Sequence, residues 1–281
     1  MADLVVLSGR GEIPFLFKTL AREKGYDPVT VGVRGISDRG CDYYVPFLGF
    51  KQFENLLDEL GRPPVVMLGK FEPSLLFAVQ ESLLFKLRLL LGDDLFKENY
   101  ETFKKLREQT PSLKTADVVL TYLRYMEEKG YSFLPSEEVR EIFSPALAPE
   151  GNLTPVPFEL RSHHWEFFRL AKTLADAEVG QTLVVKDEMV VAVEAIEGTN
   201  ETIKRACRFA GKGPVVIKVG RTLQDYRIDI PTVGMQTLKL LKRCRAKALF
   251  LEAGKVLILE KERFLKKATE AGVAVIGLTP R

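Results

Sequence analysis

Short apolar runs alternate with amphipathic stretches through the first seventy residues. Leu4 to Leu7 reads as a buried strand, Ser8 to Pro14 as a Gly-rich turn, and Phe15 to Lys24 as a helix. Val29 to Val33, a short Tyr43 to Val45, the helix Lys51 to Leu60 and Val65 to Leu68 continue the rhythm. Strand and helix in this alternation predict a parallel, Rossmann-like sheet. Three helical segments follow, centred on Leu75 to Leu91, Leu95 to Glu108 and Ala116 to Lys129.

Four prolines between Phe143 and Pro157 forbid a continuous helix or a central strand there, so a domain boundary lies in or shortly before this stretch. Beyond it the pattern predicts a helix from Arg161 to Leu174 and a hairpin of Thr182 to Lys186 with Met189 to Glu194. A helix from Thr199 to Phe209, a strand Val215 to Val219 and a helix Met235 to Arg245 come next. Apolar strands Ala248 to Glu252 and Val256 to Leu259, a helix Lys261 to Glu270 and a strand Val273 to Ile276 complete the chain. The expected fold is α/β: a Rossmann-like N-terminal domain over residues 1–132 and a second α/β domain over 133–281.

The 281 residues suit two ordinary domains, and 46% hydrophobic residues supply a sizeable core. Lys plus Arg number 41 against 38 Asp plus Glu, so the formal charge of +3 exerts no general pull on a polyanion and no nucleic-acid partner is expected. The start runs straight into a strand, with Asp3 where a signal peptide would carry positive charge, which predicts a cytoplasmic protein. The most apolar stretch, Ser74 to Gly92, is interrupted by Gln80, Glu81, Lys86 and Arg88 and reads as a buried or amphipathic helix. Cys41, Cys207 and Cys244 are widely spaced, odd in number and lack a CxxC pair, so they read as buried thiols in a reducing compartment.

Histidine usage excludes more chemistry than any other count. His163 and His164 are the only two, and as helix neighbours they are expected to face different ways, one at the surface and one in the core. That argues against a Ser-His-Asp triad and against a His-rich two-metal phosphoesterase site. The chemistry is left to carboxylates, lysines, backbone amides or a metal held by oxygen.

Four places can carry it. Ser8-Gly9-Arg10-Gly11-Glu12-Ile13-Pro14 follows a strand and opens a helix, where Gly9 and Gly11 let a phosphate approach the backbone; a tight structural turn is the alternative. Pro14 replaces the third glycine of the dinucleotide fingerprint, and the second strand ends at Arg34 rather than an acid, which disfavours an NAD-dependent oxidoreductase. Glu194 and Glu197 stand just before a helix whose expected N-cap is Thr199, and they bind a cation, position water or complement the dipole. After the strand ending in Lys218, Asp225 and Asp229 bracket Arg227 ahead of Pro231: carboxylates that hold Mg²⁺ or take a proton from water, beside cations that offset diphosphate charge. Glu252 and Lys255 emerge at a turn between two apolar strands, where a plain hairpin is equally good.

In order along the chain, Gly180-Gln181-Thr182, Lys186-Asp187, Glu194-Ala195-Ile196-Glu197-Gly198-Thr199, Gln224-Asp225, Asp229-Ile230-Pro231-Thr232-Val233-Gly234 and Glu252-Ala253-Gly254-Lys255 form a set. It is similar to the C-terminal domain of the UDP-2,3-diacylglucosamine pyrophosphatases of lipid A biosynthesis, the metal-dependent type unrelated to calcineurin-like phosphoesterases. Ser8 to Pro14, Leu68-Gly69-Lys70 and Gly92-Asp93-Asp94 resemble elements of the same family's first domain.

The resemblance implies a hydrolase that splits UDP-2,3-diacylglucosamine into UMP and 2,3-diacylglucosamine 1-phosphate with Mg²⁺, or Mn²⁺ in its place, in a cleft between two domains. Within that reaction Asp229, Asp225 and Lys218 are the expected catalytic residues, and Asp225, Asp229, Glu194 and Glu197 the expected metal ligands. Substrate contacts fall to Gly9, Gly11, Lys70, Gln181, Lys186, Thr199, Arg227, Thr232 and Lys255. An acylated substrate leaves peripheral contact with the inner membrane open, as well as a homodimer, and the helix Leu75 to Leu91 is expected to line the acyl path or the domain interface. A non-catalytic protein that binds a sugar nucleotide or a lipid is the competing class.

Overall fold

The computed structural model describes residues 2–71, 94–112 and 115–280; the expected helix Leu75 to Leu91 and the Gly92-Asp93 pair lie outside them. The chain divides into two compact units, Met1–Ile142 with Tyr226–Asp229, and Phe143–Asp225 with Ile230–Arg281.

In the first unit, β1 (Leu4–Ser8), β2 (Pro28–Val33), β3 (Tyr43–Val45) and β4 (Val65–Leu68) form a wholly parallel sheet in the order β3-β2-β1-β4. Every residue of β1 is buried, as a parallel strand covered on both faces requires. Helices α1 (Ile13–Glu23), α2 (Phe50–Glu59), α3 (Asp94–Gln109), α4 (Thr115–Glu128) and α5 (Ser136–Phe143) accompany it. A parallel, Rossmann-like sheet is the expected one. The division falls later than the expected 132/133 because Ser132 and Leu134 bond to both main-chain groups of Val65, which keeps this stretch beside β4.

In the second unit, β5 (Gly151–Asn152), β6 (Thr182–Lys186), β7 (Met189–Val193), β8 (Val215–Lys218), β10 (Ala248–Glu252) and β12 (Ala274–Leu278) make a six-stranded mixed sheet, order β5-β12-β10-β8-β6-β7. Helices α6 (Ser162–Asp176), α7 (Thr199–Ala210), α8 (Met235–Arg243) and α9 (Lys261–Glu270) complete the unit. One apolar cluster includes Val184, Ile203, Leu241, Leu249 and Phe264; the other includes Phe168, Leu183, Ile217 and Phe250.

In the proline-rich stretch Gly151 and Asn152 add an antiparallel edge strand to β12, not a central one. Two expectations need correction. Val256 to Leu259 forms no hairpin with β10; β11 (Leu257–Ile258) pairs in parallel with β9 (Thr232–Val233) as a separate small sheet. Cys207 and Cys244 are not separate thiols but a disulfide, with Cα atoms 5.7 Å apart, while Cys41 is free. The two cysteines lie in the same apolar cluster, at the end of α7 and just after α8, a proximity that their spacing in the sequence conceals.

Candidate active site

Strand direction places the polar residues of the second unit on one edge of its sheet. β7, β8, β10 and β12 run one way and β6 the other, so the start of β6 lies beside the ends of β7, β8 and β10. β8 and β10 are buried throughout and apolar until their last residues, Lys218 and Glu252. The carboxyl end of parallel strands is where α/β sheets hold their ligands.

Lys218 is 5% exposed. Its Nζ donates to Thr199 Oγ1 at 2.7 Å and to Thr182 Oγ1 at 3.2 Å, and the two hydroxyls are 3.3 Å apart. Thr199 Oγ1 in turn donates to Glu194 Oε1 at 3.0 Å. Glu194 Oε2 lies 3.7 Å from Lys218 Nζ and is buried without a hydrogen-bond partner. Gly180 makes this approach possible, because a Cβ there would sit 2.1 Å from the Glu194 carbonyl oxygen.

Thr199 is not the N-cap. Gly198, at φ 79°, occupies that position and Thr199 is the first helical residue, so its hydroxyl serves Lys218 and Glu194 instead of the helix. The first turn of α7 has no side-chain cap, which leaves the positive end of a twelve-residue helix beside the Lys218 ammonium. The group thus places an ammonium at a helix N-terminus, a setting that favours an anion, while both hydroxyls already donate within the group. Glu197 turns elsewhere: it accepts from Arg205, Ala195 N and Thr202, and its own backbone amide and the Arg205 guanidinium hold its carboxyl below the usual range.

A second polar group sits beside the first. Lys172 of α6 reaches both oxygens of Glu252, at 3.0 and 3.1 Å, with Glu252 1% exposed. Lys255 lies 3.7 Å from the same carboxylate, and burial lowers the pKa of its ammonium. Lys172 is not among the expected site residues, and Glu252 is expected only as a candidate at the turn with Lys255, with no role assigned to it. A charged last residue on the otherwise apolar Ala-Leu-Phe-Leu-Glu strand marks Glu252 in the sequence, whereas Lys172 is one polar position among many on its helix.

The remaining expected residues are dispersed. Gln181 is adjacent to the Lys218 group, and its carbonyl accepts Val219 N–H at 3.0 Å. Asp225 is half-buried in the second unit; Arg227 and Asp229 group with the first, where Tyr226 N–H donates to Ser136 Oγ. Thr232 bonds back to the Ile230 carbonyl. Lys186 stands at the far end of β6, bonded to the Ala210 carbonyl. In the first unit, Gly9 N–H donates to Leu68 O, Arg10 and Lys70 exchange both backbone hydrogen bonds, and Gly11 N–H donates to Asp38 at 2.7 Å. Those amides are already occupied.

Lys186 lines a cavity of about 480 Å³ with Phe158, Arg161, His163, His164 and Lys247. The histidines do not diverge as expected: their Nε2 atoms are 3.2 Å apart and His164 is 8% exposed. They occupy the first turn of α6, where His164 Nδ1 folds back to accept the Arg161 backbone N–H at 3.0 Å. This puts the His164 proton on Nε2, facing His163 Nε2, while His163 Nδ1 lies 3.5 Å from Glu188. Burial, then the adjacent His163, lowers the His164 pKa below its ordinary value.

Among the described residues, no group of three or more His, Cys, Asp or Glu side chains is arranged to hold a metal, and no helix is long and apolar enough to cross a membrane. The first unit encloses an apolar cavity of about 200 Å³ between Leu7, Val45, Phe53, Phe103 and Tyr122.

Residues 161–276 match the family model described as the LpxI C-terminal domain. Within the second unit this span contains Lys218, Thr182, Thr199, Glu194, Lys172 and Glu252. A relative from Caulobacter vibrioides, UDP-2,3-diacylglucosamine pyrophosphatase LpxI, is 26% identical over 166 residues. That alignment takes in 55% of this chain and 58% of the relative, so the chain spans a little over half the length of the protein it matches. Through the strands and helices that build the Lys218 and Glu252 groups, the chain is LpxI-like.

Proposed function

We propose that the protein hydrolyses the diphosphate of UDP-2,3-diacylglucosamine to UMP and 2,3-diacylglucosamine 1-phosphate. One observation carries the reading: Lys218, Thr182 and Thr199 cluster at the uncapped start of α7 inside the LpxI-like span, where an ammonium and a helix N-terminus suit a phosphate. Lys218 and the two hydroxyls bind the diphosphate and offset charge as the bridging bond breaks. Water attacks one phosphorus; a new P–O bond forms, the bridging P–O bond breaks, and the water's proton passes to a carboxylate. Asp225 and Asp229 are assigned that work, with Arg227 as a further cation.

A hard divalent cation suits the donors present. Mg²⁺ is held by one or two carboxylates plus substrate phosphates and waters, so it needs no three-acid cage, and Glu194 Oε2 is a buried oxygen with no hydrogen-bond partner. Glu194 would be its ligand in the second unit, with Asp225 and Asp229 as the further candidates; Glu197 is committed to Arg205. The ion would neutralise developing charge on the diphosphate. The acyl chains require apolar volume, of the kind the first unit encloses.

Purified protein incubated with UDP-2,3-diacylglucosamine and Mg²⁺ should release UMP, and UDP-N-acetylglucosamine should be turned over far more slowly. Binding of the substrate with no UMP released would make it a non-catalytic receptor.

A further inference from the structure

Gly220, Arg221 and Thr222 connect Lys218 at the end of β8 to Asp225, and their backbone is held in an unusual way. All six of their main-chain polar groups are bonded to side chains. Gly220 N–H donates to Glu252 Oε2 at 2.9 Å, and Gly220 O accepts from Lys172 Nζ at 2.7 Å. Arg221 N–H donates to Gln224 Oε1 at 3.0 Å, and Arg221 O accepts from Lys255 Nζ at 2.6 Å. Thr222 N–H donates to Asp176 Oδ1 at 2.6 Å, and Thr222 O accepts from Lys255 at 3.1 Å. The Thr222 hydroxyl adds a bond to Asp176 Oδ2 at 2.7 Å.

Ordinary loops satisfy such groups with water or with neighbouring backbone. Here the partners come from α6, β10, the turn after β10 and the loop itself, and the central pair is nearly inaccessible: Glu252 is 1% exposed and the Lys172 side chain 12%. Gly220 allows the close fit, because a Cβ would come within 3.2 to 3.4 Å of Lys255 and Gln224 atoms. Burial pushes the Asp176 carboxyl up, but the Thr222 donors outweigh it and hold the group below the usual carboxylate range, so it stays an acceptor. A buried ion pair is an expensive way to gain stability, since desolvation offsets most of the attraction. It does fix geometry.

We infer that Glu252 and Lys172 are a positioning pair for hydrolysis: they hold both backbone groups of Gly220 and thereby set where Asp225 stands relative to Lys218. Neither touches the substrate. This rests on the proposed hydrolysis and on a chemical role for Asp225. Displacing a reacting group by about 1 Å costs on the order of 100-fold in rate, while contacts made by Lys218, Thr182 and Thr199 in binding persist.

The test uses the full chain carrying Glu252→Gln, with Lys172→Met as a second variant if the first does not fold, and measures two quantities. Steady-state kinetics with UDP-2,3-diacylglucosamine should give kcat lower by about 100-fold with KM within about 3-fold. Hydrogen exchange of the peptide spanning 219–225 should rise, and Lys172→Arg, which restores a cation to Glu252, should recover part of the rate. Loosened exchange with unchanged kcat, or a loss confined to KM, overturns the inference while leaving the hydrolysis intact. Wild-type protein that releases no UMP overturns the proposed function, and with it the positioning role, even where exchange shows the loop held as described.

Discussion

Each unit has a buried parallel strand running into a glycine-containing turn, and the two turns differ in what their donors already hold. After β1, the N–H groups of Gly9, Arg10 and Gly11 go to Leu68 O, Lys70 O and Asp38. After β8, the backbone of Gly220 to Thr222 is equally occupied, but the neighbouring Lys218 brings an ammonium to a helix end with no cap. A glycine-rich turn is therefore not a phosphate site by virtue of its glycines. What decides is the charge and the helix end that the fold brings alongside.

The sharpest way to break this contrast is to withhold the proposed Mg²⁺. Chelator should abolish UMP release while the melting temperature stays put, because Glu194 is anchored by Thr199 without an ion. Turnover persisting in excess chelator removes Mg²⁺ from the reading. Next in size, Lys218→Met, Asp225→Ala and Asp229→Ala should each lower kcat by about 100- to 1000-fold. Asp38→Ala, which frees Gly11 N–H in the first unit, should change it by less than about 3-fold. Equal losses on both sides would show that the first turn takes part in the chemistry after all.

A smaller effect concerns stability. Breaking the disulfide with Cys207→Ser and Cys244→Ser should cost about 3 to 4 kcal/mol by the chain-entropy estimate for the loop it closes, read from denaturant midpoints. An unchanged midpoint would mean that packing of α7 and α8 suffices.

The smallest is a pH effect on the His164 cap. His164 is neutral in the folded chain, with its pKa lowered, so the unfolded chain binds more protons below about pH 6.5. Stability should fall as pH drops through that window toward the folded value, and be flat above it. His163→Ala, His164→Ala should weaken the acid-side loss and keep most of the turnover, since the pair sits at the opposite end of β6, about 13 Å along the strand from Thr182. A collapse in kcat in a folded double mutant would give the histidines a role in the reaction.

Much of the fold is legible in the chain because it rests on local periodicity. Apolar runs mark β1, β6, β8 and β10, and amphipathic stretches mark α6 and α7 within a residue or two. The features that escape are set by distant partners. Nothing near Leu257 says that it will pair with Thr232 rather than turn back on β10. Thr199 looks like a cap because Thr precedes a helix, yet Gly198 takes the cap and the hydroxyl goes to a lysine from another strand. The sequence draws attention to Lys218 and Glu194, and packing brings them together. Lys172 has no signal of its own, since its importance comes wholly from facing Glu252.

The disulfide also has a topological consequence. Joining Cys207 to Cys244 closes a covalent ring that contains Lys218, the Gly220 to Thr222 cradle, Asp225, and the Tyr226–Asp229 segment that groups with the other unit. A protease that cuts anywhere inside this ring opens it without dividing the molecule. Nicked protein should run as a single species on a non-reducing gel and separate into two fragments only when reduced, so the loop that carries the candidate carboxylates remains tethered at both ends after its backbone is broken.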